Sequence, residues 1–116
     1  MERKGRAAFG DITLDFDRQE LRRFGQLIAA TSLEFRLLRC FIENPERTLS
    51  REELIHRVWR TRKRMTSRTV DNAICQLRQK LEDHPSCPVY FRTMYGVGYK
   101  FVPSSGKEKF AAGAGN

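Results

Sequence analysis

The apolar period of this 116-residue chain changes twice, and those two changes confine it to few folds. Between residues 9 and 29 the apolar side chains alternate in short runs: Ile12, Leu14 and Phe16, then Leu21, then Leu27. Alternation at period two marks half-buried strands, and Asp17-Arg18 and Phe24-Gly25 supply turn residues between the runs. The pattern predicts a small antiparallel meander of three or four strands, with an irregular arm as the competing reading. From residue 31 to residue 81 the period becomes helical. Thr31-Ser32-Leu33-Glu34 and Ser50-Arg51-Glu52-Glu53 both have capping-box form, which places two helix starts. The first helix turns Leu33, Leu37, Leu38, Phe41 and Ile42 inward and ends at Asn44-Pro45. The second turns Leu54, Ile55, Val58 and Trp59 inward, and a third spans 67–81, capped by Thr66 or Ser67. From 89 to 102 the period returns to two: VYFRTM, a YGVG turn, then YKFV, which reads as a hairpin.

A chain of this length has room for one modest core. Strands, three helices and a hairpin around one core make an α+β fold. With a basic centre, that order predicts a winged helix-turn-helix with an N-terminal antiparallel sheet, three helices and a C-terminal β-hairpin wing. The domain is expected over 9–103. Residues 1–8 are expected to be a disordered arm or expression remnant, and the Gly- and Ala-rich 104–116 a disordered tail.

Charge narrows the partners. Twenty-two Lys and Arg against 14 Asp and Glu leave a formal net charge of +8, which points first to nucleic acid and second to an anionic membrane surface. Between Ser50 and Leu81 nine basic residues face three acidic ones, and Arg60, Arg62, Lys63 and Arg64 crowd into five positions. No apolar run approaches the roughly 20 residues that span a bilayer. Cys40, Cys75 and Cys87 are odd in number and widely spaced, which fits a reducing cytosol better than structural disulfides.

The third helix, SRTVDNAICQLRQKL, carries the functional question. At about 100° per residue, Val70, Ala73, Ile74, Leu77 and Leu81 share one arc of about 100° facing the core. Arg68, Asn72, Cys75 and Gln79 lie opposite, flanked by Thr69 and Gln76. An ordinary solvated face mixes acids and bases at i,i+4. This face instead offers amide, hydroxyl and guanidinium groups, which can bond to base edges and phosphates without repelling DNA. A solvated face that is short of acids by chance is the bland alternative. One α-helix fits the B-DNA major groove, whereas the A-form RNA groove is too deep and narrow for side-chain reading. Duplex DNA is therefore the expected target.

At this point four separated motifs in order resemble the C-terminal DNA-binding domain of OmpR/PhoB-type response regulators. They are LEFRLL at 33–38, LSREELIHRVW at 49–59, SRTVDNAICQLRQKLED at 67–83 and RTMYGVGYKF at 92–101. The resemblance implies a third helix in the major groove and a wing at the adjacent minor groove. It implies phosphate or base contacts from Arg68 and Thr69, and backbone contacts from Arg78, Trp59, Thr93 and Tyr99. It also implies that the loop 60–66 touches RNA polymerase, that relatives pair head to tail on direct repeats, and that a receiver domain normally precedes the module. The chain is too short to contain a receiver, which leaves a stand-alone effector or a domain excised from a longer protein with Met1 an expression start. Excision is the expectation, because residues 9–14 resemble the domain start that normally follows a linker. Departures from the family pattern fall at Asn72, Cys75 and Gln76 on the helix, and at Tyr95 at the wing tip, where many relatives carry arginine.

The expected DNA-binding set is therefore Trp59, Arg62, Lys63, Arg64, Arg68, Thr69, Asp71, Asn72, Cys75, Gln76, Arg78, Gln79, Thr93, Tyr95, Tyr99 and Lys100. Asp71 has two readings: an acceptor for cytosine N4, or a charge that pairs with Arg68 or complements the helix start. Cys75 reads either as a small neutral groove side chain or as a redox-sensitive thiol. His84 and Cys87 have ligand-type spacing, but a zinc site needs about four ligands, and His56 belongs to another helix. No metal, cofactor, small-molecule ligand or catalytic set is expected. The competing function is a winged-helix module whose basic face docks an acidic protein such as RNA polymerase or a kinase. RNA binding is the third. A cytoplasmic protein, nucleoid-associated when bound, completes the expectation.

Overall fold

The computed structural model describes residues 5–60 and 65–103. Four short strands open the chain: β1 (Arg6–Phe9), β2 (Ile12–Asp15), β3 (Glu20–Arg23) and β4 (Gln26–Ile28). They form an antiparallel sheet in sequence order. The alternation does what its period requires, for Ile12, Leu14 and Leu21 turn to the core while Thr13 and Arg22 face out. β1 begins three residues before the expected domain start. Arg6, Ala7 and Ala8 pair with Asp15, Leu14 and Thr13, and Arg6 forms an ion pair with Asp15. Phe9 explains why this strand is integral. Its ring meets Tyr90 and Phe101 edge-on at centroid distances of 5.0 and 4.8 Å, so the first sheet and the C-terminal hairpin share one core. The expected tail lies outside the described residues.

Helix α1 (Ser32–Glu43) starts in the reciprocal capping box that its sequence announces: Thr31 Oγ1 accepts from Glu34 N–H, and Glu34 Oε1 accepts from Thr31 N–H. Glu34 is buried, and Lys80 Nζ reaches its Oε1 at 2.6 Å. One carboxylate thus caps α1 and ties down the last turn of the third helix.

Between the first two helices lies β5 (Thr48–Ser50), a strand that sequence alone does not announce. It pairs with β7 (Gly98–Phe101), which pairs with β6 (Phe91–Met94), giving a second sheet in the order β5-β7-β6. Its three residues show no period of their own. Pairing across about 50 positions of sequence makes them a strand. The approach is close, because a Cβ on Gly98 would lie 2.0 Å from the Leu49 carbonyl oxygen.

Helix α2 (Arg51–Leu54) is capped by Ser50, whose Oγ accepts from Glu53 N–H at 3.0 Å. The Glu53 carboxylate pairs with Arg47 and Arg57. After one α-helical turn the chain widens into a π-helical turn, Ile55–Trp59, closed by Arg60 at a left-handed φ of 53°. Leu54 and Val58 are buried, and Ile55 and Trp59 are half-buried against the core. Helix α3 (Ser67–Leu81) has the span its period predicts, with Val70, Ile74, Leu77 and Leu81 fully buried.

Candidate nucleic-acid interface

α3 shows its expected outer face. Arg68, Asn72, Cys75, Gln76 and Gln79 are exposed, Thr69 is half-buried, and no acidic side chain stands among them. Thr66 is the N-cap without a side-chain cap bond. At the tip of the β6–β7 hairpin Tyr95 is 90% exposed and Val97 57% exposed. Lys100 is half-buried on β7 and Trp59 half-buried at the end of the π turn. Arg62, Lys63 and Arg64 lie outside the described residues.

The remaining four expected contacts bond to other groups of the protein where α3 meets the wing. Asp71 and Arg78 are seven positions apart, which puts them on the edge of α3 that meets the wing. Arg78 Nε donates to the Phe91 carbonyl oxygen at 2.9 Å, and its Nη2 donates to Thr93 Oγ1 at 2.7 Å. The Tyr99 ring is buried, with the guanidinium carbons of Arg51 and Arg78 lying 5.3 and 5.6 Å from its centroid. Asp71 Oδ1 accepts from the Tyr99 hydroxyl and, at 2.8 Å, from Arg51 Nε. The partners of Asp71 are thus Arg51 and Tyr99, where the sequence offered Arg68. The Tyr99 hydroxyl likewise has its partner within the protein, donating to Asp71. Arg51 has no signal in the period, because it opens a helix where a solvated base is commonplace. Its role is set by distant partners.

Electrostatics follow the geometry. Burial works against ionisation of Asp71, but the hydrogen bonds from Tyr99 and Arg51 and the charges of Arg51 and Arg78 outweigh it. They hold its pKa below the ordinary 3.8. Burial, then the Asp71 contact, pushes the Tyr99 hydroxyl up. The Asp71 bond to Arg51 raises the arginine. A lowered carboxylate stabilises the fold fully above its ordinary pKa and ceases to as pH falls through the lower, folded-state value. Wild type is therefore expected to exceed Asp71→Asn in unfolding free energy by up to about 1 kcal/mol at neutral pH, a figure limited by exposure of the pair. Urea unfolding followed from neutral to strongly acidic pH should show that gap closing.

The wing is fixed at its base by a residue the sequence reading passed over. Glu82, directly after α3, is 3% exposed. Its Oε1 accepts from Val89 N–H, and its Oε2 accepts from Tyr90 and Phe91 N–H, at 2.8–2.9 Å. On the N-terminal side Arg23 of β3 pairs with Asp11 and with Asp83. Among the described residues no group of three or more His, Cys, Asp or Glu is placed to hold a metal ion. Among the same residues no helix is long and apolar enough to cross a membrane.

A helix with an acid-free polar outer face, packed behind a short capped helix and locked to a three-stranded wing sheet, defines a winged helix-turn-helix domain. The chain belongs to the family described as "Transcriptional regulatory protein, C terminal", which it matches over residues 25–101, the DNA-binding domain of OmpR/PhoB-type regulators. It is 37% identical over 97 residues to the transcriptional regulatory protein AfsQ1 of Streptomyces coelicolor, covering 84% of this chain and 43% of that protein. The chain thus spans less than half of that relative. Among solved structures, the response regulator DrrB of Thermotoga maritima, an OmpR/PhoB homologue, superposes with a TM-score of 0.78 at 33% identity. That match covers 86% of this chain and 45% of DrrB. The DNA-binding domain of RstA from Klebsiella pneumoniae, solved in complex with the RstA box, gives 0.76 at 26% identity, covering 84% of this chain and 97% of that domain.

Proposed function

We propose that this domain is the DNA-reading effector of a two-component-type response regulator, with α3 in the major groove and the β6–β7 wing at the adjacent minor groove. The observation that carries this reading is the exposed, acid-free face of α3 beside a wing whose tip residue, Tyr95, is almost wholly exposed. Arg68 and Lys100, with Arg62, Lys63 and Arg64 of the basic segment, supply phosphate attraction. Thr69, Asn72, Cys75, Gln76 and Gln79 face the base edges, and Trp59 approaches the backbone. Tyr95 packs on the minor-groove wall, where its ring and hydroxyl contact sugar. Specificity then rests on amides, which bond well to adenine, rather than on a row of arginines reading guanine. Residues 60–66 form the surface for RNA polymerase, pairs of domains sit head to tail on direct repeats, and the protein is cytoplasmic, associated with the nucleoid when bound to DNA.

Selection of bound fragments from a genomic duplex library, followed by anisotropy titration, tests the reading. About five neutralised phosphates give a slope of log K against log salt of about −4 to −5. Arg68→Ala is expected to weaken selected and random duplexes alike and to flatten the slope by about 1. Asn72→Ala is expected to cost about 1–3 kcal/mol on the selected site and little on random DNA. Equal losses from both variants on both duplexes would refute this division of roles. Absence of preference at any salt would refute DNA reading in favour of a protein-docking face.

A further inference from the structure

Asp71 lies on the edge of the reading face, and as the only acid in α3 it is the obvious candidate for a cytosine reader. Its geometry assigns it otherwise. The same Oδ1 accepts from Arg51 Nε at the first turn of α2 and from the hydroxyl of Tyr99 on β7. Tyr99 in turn lies between the guanidinium groups of Arg51 and Arg78, and Arg78 bonds to Phe91 and Thr93 of β6. Every one of these side chains is buried or half-buried. The cluster therefore joins four elements: the start of α2, the wing-facing edge of α3, and both wing strands, β6 and β7.

Resting on the DNA-reading function above, we propose that Asp71 is a positioning residue, which with Arg51 and Tyr99 sets the angle between the reading helix and the wing. The two must engage adjacent grooves of one duplex at once, so a loose joint between them costs specific binding far more than random binding. Random binding needs only positive charge near phosphates and has no fixed register. The charge change makes the prediction sharp. Asp71→Asn removes a negative charge from a surface facing DNA, so random binding should hold or rise. A reader role would erase preference at one base pair and leave the rest of the site intact. A positioning role lowers preference across the site, wing side included.

The test compares wild type, Asp71→Asn, Tyr99→Phe and the double variant on the selected duplex, on its single-base variants and on random DNA. Thermal unfolding confirms that each protein is folded at the assay temperature. The ratio of selected to random affinity is expected to fall about tenfold in each single variant and no further in the double, because the partners act as one network. Tyr99→Phe is the safeguard, since it deletes one hydroxyl and keeps the buried ring. Additive losses, a preference lost at one base pair only, or an unchanged ratio would each overturn the assignment while leaving the DNA-reading function intact. A wild-type ratio near one would overturn that function first.

Discussion

Glu82→Ala is expected to cost about 3–5 kcal/mol, enough to unfold a large share of a marginally stable domain. The carboxylate follows the C-terminal end of α3, where the helix dipole disfavours a negative charge by up to about 1 kcal/mol. It is nevertheless almost fully buried. Three backbone N–H groups, from Val89, Tyr90 and Phe91, offset that penalty. Hydrogen bonds to a charged acceptor contribute about 1.5–3 kcal/mol each, so the donors win. Alanine would leave those donors stranded at the root of the wing. Glutamine is the informative control. Its carbonyl can serve Tyr90 and Phe91, but its NH2 then faces the N–H of Val89, donor against donor. An intermediate loss of about 1–3 kcal/mol is expected for Glu82→Gln. Urea denaturation of the two variants measures the difference, and a near-neutral Glu82→Ala would contradict the role given to this residue.

Gly98→Ala is the second large effect expected. The added methyl group would fall 2.0 Å from the Leu49 carbonyl oxygen, and that neighbour is backbone that cannot swing aside as a side-chain tip would. The collision opens the β5–β7 ladder, in which Ser50 faces Gly98. Overpacking of this kind costs about 3 kcal/mol, the upper part of the usual range. The loss should be felt beyond stability, because Ser50 also caps α2. A shift of β5 therefore disturbs the start of the helix that carries Arg51. Backbone amide exchange should show lost protection in β5 and at the α2 start, while the α3 core turns Ile74–Leu77 stay protected. Unchanged protection in β5 would show that the ladder tolerates the methyl group.

How far the sequence disclosed this molecule depends on whether a feature is local. The span of α3, the reciprocal cap of α1 and the hairpin follow from periods and caps contained within each segment, and all are found where the residues place them. β5 escapes because three residues have no period, and only β7 makes them a strand. The early start of β1 escapes for the same reason: Ala7 and Ala8 are weak strand formers, held by pairing with β2 and by the Phe9 ring. The outer face of α3 was legible as a set of polar types. Its edge was not. Asp71 and Arg78 look like solvent or DNA contacts along the helix, and only the folded wing shows that they face Tyr99, Thr93 and Phe91. Glu82 reads as one more acid after a helix, since nothing in a sequence counts the backbone donors that will gather around it.

The hairpin itself suggests a use. Its root is held by Glu82, by the Arg78 contacts and by the tight approach of Gly98 to Leu49. Its tip, Tyr95, Gly96 and Val97, projects from the core, and a Cβ added at Gly96 would meet nothing within 4 Å. Only the backbone twist at Gly96, φ +79°, limits what can stand there, which favours glycine or asparagine. An engineer wishing to retarget the domain could randomise positions 95 and 97 on a scaffold that does not depend on them. Combined with changes at Asn72 and Gln76, such a library would search both grooves of the duplex while leaving the folding of the domain alone.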